Sequence, residues 1–388
     1  MLQFSYMVIF DALQSLFVGI ILAYLSVTGS LAEYVESKLA PQDAVPSTLV
    51  AEIESPEPSQ ELTLLSRLYA STEGVSKVLF DNAAFKEAAQ TISQTSAVAA
   101  SLPSHSLNTH IKHSLVNILC QYKTSEYTRT TTGTGFFIHE QGVILTNAHV
   151  AQFLLLESVE KGVSDADCIV RAGDPAEPKY YAELLFISPT WVFNNAELIT
   201  AEHPRGTGEY DYALLYVSDS LDTDELPVSY PALALHTEFL PRTLTGSDVV
   251  TAGYPAEKLS REGPKAKLAP RVATTTIDEL YTFGSNYADI FSISDSPVGE
   301  QGASGGPVVS ETLGGTIGLI VTKGDMRTEG EHSLRALTLS YIDRTITEET
   351  GFSLIENARG DLAYRGRIFK EVLAPFLARL LEAELQNI

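Results

Sequence analysis

Between residues 114 and 345 the chain is a succession of short apolar runs broken by turns. Residues 115–122, 134–139, 143–147, 167–172 and 180–187 come first, and a further run opens with Asp211. Residues 249–253, 289–292, 307–309, 316–321 and 334–341 follow. These runs are rich in β-branched and aromatic residues and are bounded by turn formers, so they predict strands. Many short strands at this spacing predict a sandwich or barrels. Residues 190–210, with Trp191 and Pro204, interrupt the pattern as a long insertion, read as a surface loop or decoration.

Either side of this region the period changes. Residues 4–27 are mostly apolar, with Asp11 and Gln14 near the front. Residues 8–27 match the roughly 20 positions that a bilayer-spanning helix needs. A membrane anchor, a signal peptide and a buried helix compete for this run. No Lys or Arg precedes it, so the charged start of a signal peptide is missing, although Thr28, Gly29 and Ser30 would permit cleavage. The anchor is the preferred reading, and it makes the membrane a partner. Residues 40–60, punctuated by Pro41, Pro46, Pro56 and Pro58, predict an acidic linker. From residue 61 to 99 the spacing is helical: Leu65, Leu68 and Tyr69 share one face, Phe85, Ala88 and Ile92 another. These suggest short helices, of a stalk or of a small coiled segment. Residues 101–113 predict a loop, in which His105, His110 and His113 read as solvated side chains. A metal site would need fixed geometry and usually a fourth ligand. Beyond the strands, Ile368, Val372, Leu373, Phe376, Leu380 and Leu381 recur at helical spacing, with Pro375 kinking or restarting the helix. The predicted organisation is therefore an anchor or signal segment at 1–30, linker and helices at 31–113, a β domain at 114–345 and a helical extension at 346–388.

Chemistry concentrates in three of the β runs. Gly302-Ala-Ser304-Gly305-Gly306-Pro307 places a serine between glycines. Glycine permits a sharp turn and a close approach of backbone, and such a turn exposes a hydroxyl while aiming backbone N–H groups at one point. A serine hydroxyl needs a base to become a nucleophile. Val143-Ile-Leu-Thr-Asn-Ala-His149-Val150 offers the base, and Asp211-Tyr-Ala-Leu-Leu offers a carboxylate to orient it. Asp165, Asp222 and Asp224 are rivals to Asp211, and His139 to His149, but neither set has the same context.

The order His149, Asp211, Ser304 is the chymotrypsin-type triad order. With Gly133-Thr-Gly-Phe-Phe-Ile138 and Ala252-Gly-Tyr-Pro255, these motifs make the chain resemble a trypsin-like serine protease of chymotrypsin fold, most similar to the HtrA/DegP-like branch. The resemblance implies a mainly β fold of two six-stranded antiparallel barrels with the site between them. It also implies a serine endopeptidase acting on protein or peptide substrates, without cofactor or metal, and an extracytoplasmic catalytic domain. Ser304 is then the nucleophile, His149 the general base and Asp211 its partner, with the N–H groups of Gly302 and Ser304 as oxyanion donors. The substrate pocket falls to Val298, Glu300, Gln301, Val321 and Lys323, whose apolar floor at Val298 favours small or medium apolar side chains. The stretch after Tyr341 is too short for the PDZ domain that many relatives carry. A protease-fold binding or scaffold protein, with its oxyanion loop locked, is the alternative.

Composition narrows the partners. Of 388 residues, 44% are apolar, enough for a large core. The chain has 26 basic against 49 acidic residues, a net charge of −23. That opposes binding to nucleic-acid backbones and to anionic lipid surfaces; solubility is the simpler account. Two cysteines, Cys120 and Cys168, are too few for a disulfide scaffold. Whether they pair or stay as buried thiols is left open.

Overall fold

The structure is a computed structural model that describes residues 72, 74–83, 85, 104–123, 128–157, 165–201, 206–222, 225–294, 296–299, 301–323 and 334–386. All of them belong to one unit, Pro58–Ile388. The expected membrane segment and the acidic linker lie outside the described residues. Among the described residues, no helix is long and apolar enough to cross a membrane.

Twelve strands form two closed antiparallel barrels. In the first, β1 (Leu115–Lys123), β2 (Thr128–His139), β3 (Val143–Thr146), β4 (Asp165–Ala172), β5 (Glu177–Ile187) and β6 (Ala213–Ser220) join in the order β1-β2-β3-β6-β5-β4. In the second, β7 (Asp248–Gly253), β8 (Arg271–Tyr281), β9 (Ile290–Ile293), β10 (Pro307–Ser310), β11 (Gly315–Lys323) and β12 (Leu334–Thr338) join in the order β10-β11-β12-β9-β8-β7. Closure leaves no free sheet edge. β3 is buried along its whole length, and its neighbours pair in register with it, Phe136 facing Leu145 and Leu145 facing Leu214. Cys120 faces Cys168 across β1 and β4, and the two are joined in a disulfide.

Several elements depart from the sequence reading. β8 has no counterpart there, because its Thr-rich run is mostly half-exposed and lacks an apolar rhythm. The run 334–341 is not one strand. It stops at Thr338, whose hydroxyl accepts from Tyr341 N and so caps the helix Leu339–Thr350. That helix ends at Gly351, which adopts the left-handed conformation typical of a C-terminal stop. Residues 101–113 are not a loop either. Ser104–Ser114 is a helix on which Ile111 is buried and His110 Nε2 lies 3.0 Å from the Ala232 carbonyl. The described part of the expected stalk does not stand free. Residues 74–81 are helical, and Phe80 packs on both Phe85 and Phe186 of β5. Arg365 covers the Phe85 ring at 5.2 Å.

A helical layer covers the first barrel because one short helix demands it. Ala148–Leu156 is apolar nearly all round, and every residue but His149 is buried. A helix of that kind is stable only when enclosed. The helix Ala374–Gln386 packs on it, and so does the insertion before Asp211. That insertion is not a loop: Pro189–Asn195 is helical, capped by Ser188, with Trp191 buried. The helix Leu362–Val372 lies on β5. Pro375 is the second residue of the last helix, where its missing N–H costs nothing.

In the second barrel the fully buried Asp289 ties the β8–β9 loop to the helix Leu339–Thr350. Its carboxylate accepts from Arg344 (2.7 Å), Phe283 N (2.8 Å), Thr282 Oγ1 (2.9 Å) and Ser285 Oγ (2.8 Å). Burial alone would raise its pKa, but Arg344 and the three other donors outweigh it and hold the group below its usual 3.8. A depressed carboxylate contributes stability above its unfolded pKa and loses it as pH falls through the folded value. Asp289→Asn is therefore expected to cost about 1–3 kcal/mol at pH 7. Urea unfolding checks this: the gap between wild type and variant should shrink steadily below about pH 4.

Candidate active site

His149 is the second residue of the helix that follows β3, and Asp211 lies in the turn ahead of β6. β3 and β6 are neighbours, with Thr146 opposite Ala213, so their ends bring the two residues together. Asp211 holds His149 at two points. Its Oδ1 accepts from the His149 backbone N–H at 2.9 Å, and its Oδ2 pairs with Nδ1 at 2.7 Å. A third bond runs from Asn147 Nδ2 to the Asp211 carbonyl at 2.9 Å. The carboxylate is acceptor-only, so this pairing puts the ring proton on Nδ1 and leaves Nε2 as a lone-pair acceptor. The Asp211 side chain is almost enclosed while that of His149 keeps 24% of its surface. One nitrogen is thus shielded and the ring still reaches solvent.

Asp211 does not open the strand, as its sequence context suggested; it sits two residues ahead of Ala213. The residue before it, Tyr210, has φ 57, the one positive value at a non-glycine among the described residues. Bulky residues rarely adopt it. Tyr210 N donates to Tyr341 Oη at 3.2 Å.

Ser304 sits in a turn ahead of β10, between Gly302 (φ 93) and Gly305 (φ 88), which need glycine at those angles. The turn is fastened from both barrels. Thr134 of β2 donates its N–H to Ser304 O at 2.8 Å and its hydroxyl to Gly302 O at 2.6 Å. The same hydroxyl accepts from Tyr254 N at 2.9 Å. From the second barrel, Gly305 N donates to Ile320 O at 2.8 Å, and Ala256 N to Gln301 O at 2.6 Å. A trans peptide holds its C=O and N–H in opposite directions. Pinning the Gln301 carbonyl therefore turns the Gly302 N–H away from Ala256. Ser304 Oγ donates to the Val321 carbonyl at 3.5 Å and makes no hydrogen bond with His149.

The expected pocket residues separate. Val298 has no exposed surface; it lies beneath Gly253, where an added Cβ would meet its Cγ1 at 3.2 Å. Val321 is buried on β11 and Gln301 is exposed. Glu300 lies outside the described residues, as does the side chain of Lys323 at the end of β11. No cluster of three or more His, Cys, Asp or Glu among the described residues could hold a metal ion. Thr134, Ala256 and Tyr341 were not singled out from sequence. Thr134 stands inside the Gly133-Thr-Gly135 motif, so a signal existed for it; the other two are reached only through the fold.

Residues 133–319 match the family described as Trypsin-like peptidase domain, a span that includes His149, Asp211 and Ser304. Over that stretch the chain is similar to trypsin-like peptidases. Two solved structures of Rv3671c from M. tuberculosis are similar to it. One is a serine-to-alanine mutant in an inactive form, 20% identical, with a TM-score of 0.37, covering 67% of this chain and 96% of its own. The other, the Rv3671c protease in an active form, is 21% identical, with a TM-score of 0.38, covering 68% and 94%. No curated protein matches the chain. The helices after β12 lie beyond the matched span, although two of them touch the elements that carry His149 and Asp211 in the peptidase domain.

An added Cβ at Gly305 would come within 1.9 Å of the Thr134 carbonyl. The fastening of the peptidase domain's serine turn therefore depends on glycine there. Gly305→Ala is expected to slow labelling of Ser304 by a fluorophosphonate about 100-fold or more. Labelling at the wild-type rate would show that the turn does not need this contact.

Proposed function

We propose that the domain is a serine endopeptidase that cleaves protein substrates through an acyl-enzyme. The observation that carries this reading is the two-point pairing of Asp211 with His149, beside a serine whose turn is fastened from both barrels. The reading requires Ser304 Oγ to leave the Val321 carbonyl for Nε2 of His149, a χ1 change between staggered rotamers. His149 then accepts the hydroxyl proton as Oγ attacks the peptide carbonyl, and returns it to the leaving amine. Asp211 keeps the tautomer and stabilises the imidazolium. The N–H groups of Gly302 and Ser304 receive the oxyanion. The Cys120–Cys168 disulfide supports an oxidising, extracytoplasmic setting, and the apolar run at 8–27 supports a membrane anchor.

A second reading, a protease-fold binding protein, is favoured by the direction of Ser304 Oγ toward Val321 rather than His149. Fluorophosphonate treatment of the folded protein separates the two. The endopeptidase labels at Ser304 and cleaves casein, whereas Ser304→Ala does neither, with a loss of about 10³-fold or more in rate and little change in Tm. A wild-type protein that stays unlabelled at every pH leaves the binding reading.

The residues that the family resemblance gives to the pocket floor and wall, Val298 and Val321, are apolar. An apolar pocket does not repay the desolvation of a Lys or Arg side chain. Profiling with a degenerate peptide library is expected to give cleavage after Val, Ala or Leu. Dominant cleavage after Arg or Lys would assign the pocket floor to Glu300 instead.

A further inference from the structure

The turn that carries Asp211 belongs to the first barrel, yet it is held from the far side by a helix that grows out of the second. Leu339–Thr350 begins directly at the end of β12. Arg344 ties it to the enclosed Asp289 at 2.7 Å, and Thr338, its cap, donates to the Ala288 carbonyl at 3.0 Å. So the helix is fixed on the second barrel. Two of its side chains then reach across to the residues that flank Asp211. Tyr341 Oη accepts from the N–H of Tyr210 at 3.2 Å, and its ring meets that of Tyr210 edge-on at 6.1 Å. Glu349 accepts from Tyr212 Oη at 3.3 Å. The same carboxylate takes Ser188 Oγ at 2.9 Å and Thr190 N at 3.4 Å, where the chain leaves β5. Glu349 keeps some surface as a residue, but its carboxylate is enclosed by these donors, and burial raises its pKa.

Tyr210 is the residue in the left-handed conformation. Such a conformation persists only where the surroundings over-determine it. Its N–H has one acceptor, and that acceptor comes from the helix Leu339–Thr350, which acts as a strut. Loss of the acceptor frees Tyr210 to relax, and the next residue in the chain is the one that grips His149.

We propose that Tyr341 and Glu349 are positioning residues for Asp211, so that the helix Leu339–Thr350 sets the alignment of His149 from the opposite barrel. This rests on the endopeptidase reading for its kinetic consequence but not for its structural one. Tyr341→Phe removes only the hydroxyl and leaves the ring packing. Its expected effect is a fall in kcat of about tenfold or more with KM within about twofold. Glu349→Gln, which retains an acceptor for Ser188 and Thr190 and a partner for the Tyr212 hydroxyl, is expected to keep most of kcat, whereas Glu349→Leu should lose it. A purely structural role would lower Tm in all three without the rescue. The low-field proton resonance of the His149–Asp211 hydrogen bond gives a readout independent of turnover. It should shift or vanish in Tyr341→Phe and persist in Glu349→Gln. An unchanged resonance together with kcat within about twofold of wild type in Tyr341→Phe overturns the proposal. Wild-type protein that shows the resonance but neither turnover nor labelling overturns the endopeptidase reading alone, and the resonance in Tyr341→Phe still decides the positioning.

Discussion

The hydrogen bonds that Thr134 makes to the backbone of Gly302 and Ser304 join the two barrels at the point where chemistry is expected. Ser304, ahead of β10, and His149, after β3, share no local backbone. Their separation is set by whatever crosses between them. Here the crossing is short and polar, made from one N–H and one hydroxyl, with glycine opposite so that the strands can come close. Small errors in such alignment are expensive in rate, so a rigid crossing matters more than a strong one. The hydroxyl is satisfied in both directions, donating to Gly302 O and accepting from Tyr254 N. This removes its reason to rotate.

The base side of the site is held by burial. Ala148–Leu156 presents apolar groups on all faces, so the helix that orients His149 depends on the layer packed over it. The insertion before Asp211 and the helix Ala374–Gln386 supply that layer. Elements that look peripheral in sequence therefore determine how firmly the imidazole is carried, while the carboxylate of Asp211 fixes its direction.

Much of this was legible beforehand. The pairing of His149 with Asp211 and the glycine turn at Ser304 were legible because short-range patterns surround them: glycines at a turn, and a β run ending in Asn-Ala-His. Strand spacing pointed to a sandwich or barrels, and the family resemblance to two six-stranded barrels. What failed to appear was of four kinds. β8 lacks apolar rhythm because its threonines face half-exposed positions. The helix Leu339–Thr350 hides behind an apolar run continuous with β12, and only the Thr338 cap marks the change. The links from Tyr341 and Glu349 to the residues around Asp211 span 131 and 137 positions, and no local pattern encodes contacts at that distance. The orientation of Ser304 Oγ toward Val321 is a rotamer choice, which sequence does not specify.

The reach of the strut helix bears on the order in which the molecule is assembled. All six strands of the first barrel are complete by Ser220, so that barrel closes while the second is still being made. Yet Tyr341 and Glu349, which hold the residues around Asp211, and the last helix over the His149 helix are supplied only after residue 339. Contacts of such long sequence separation form late, because loop closure must precede them. A nascent or truncated chain thus holds a formed barrel with a loosely set base, and the alignment tightens only once the later helices dock. Timing is in this way written into the topology: the surroundings of Asp211 and His149 are completed only by the last helices to be made.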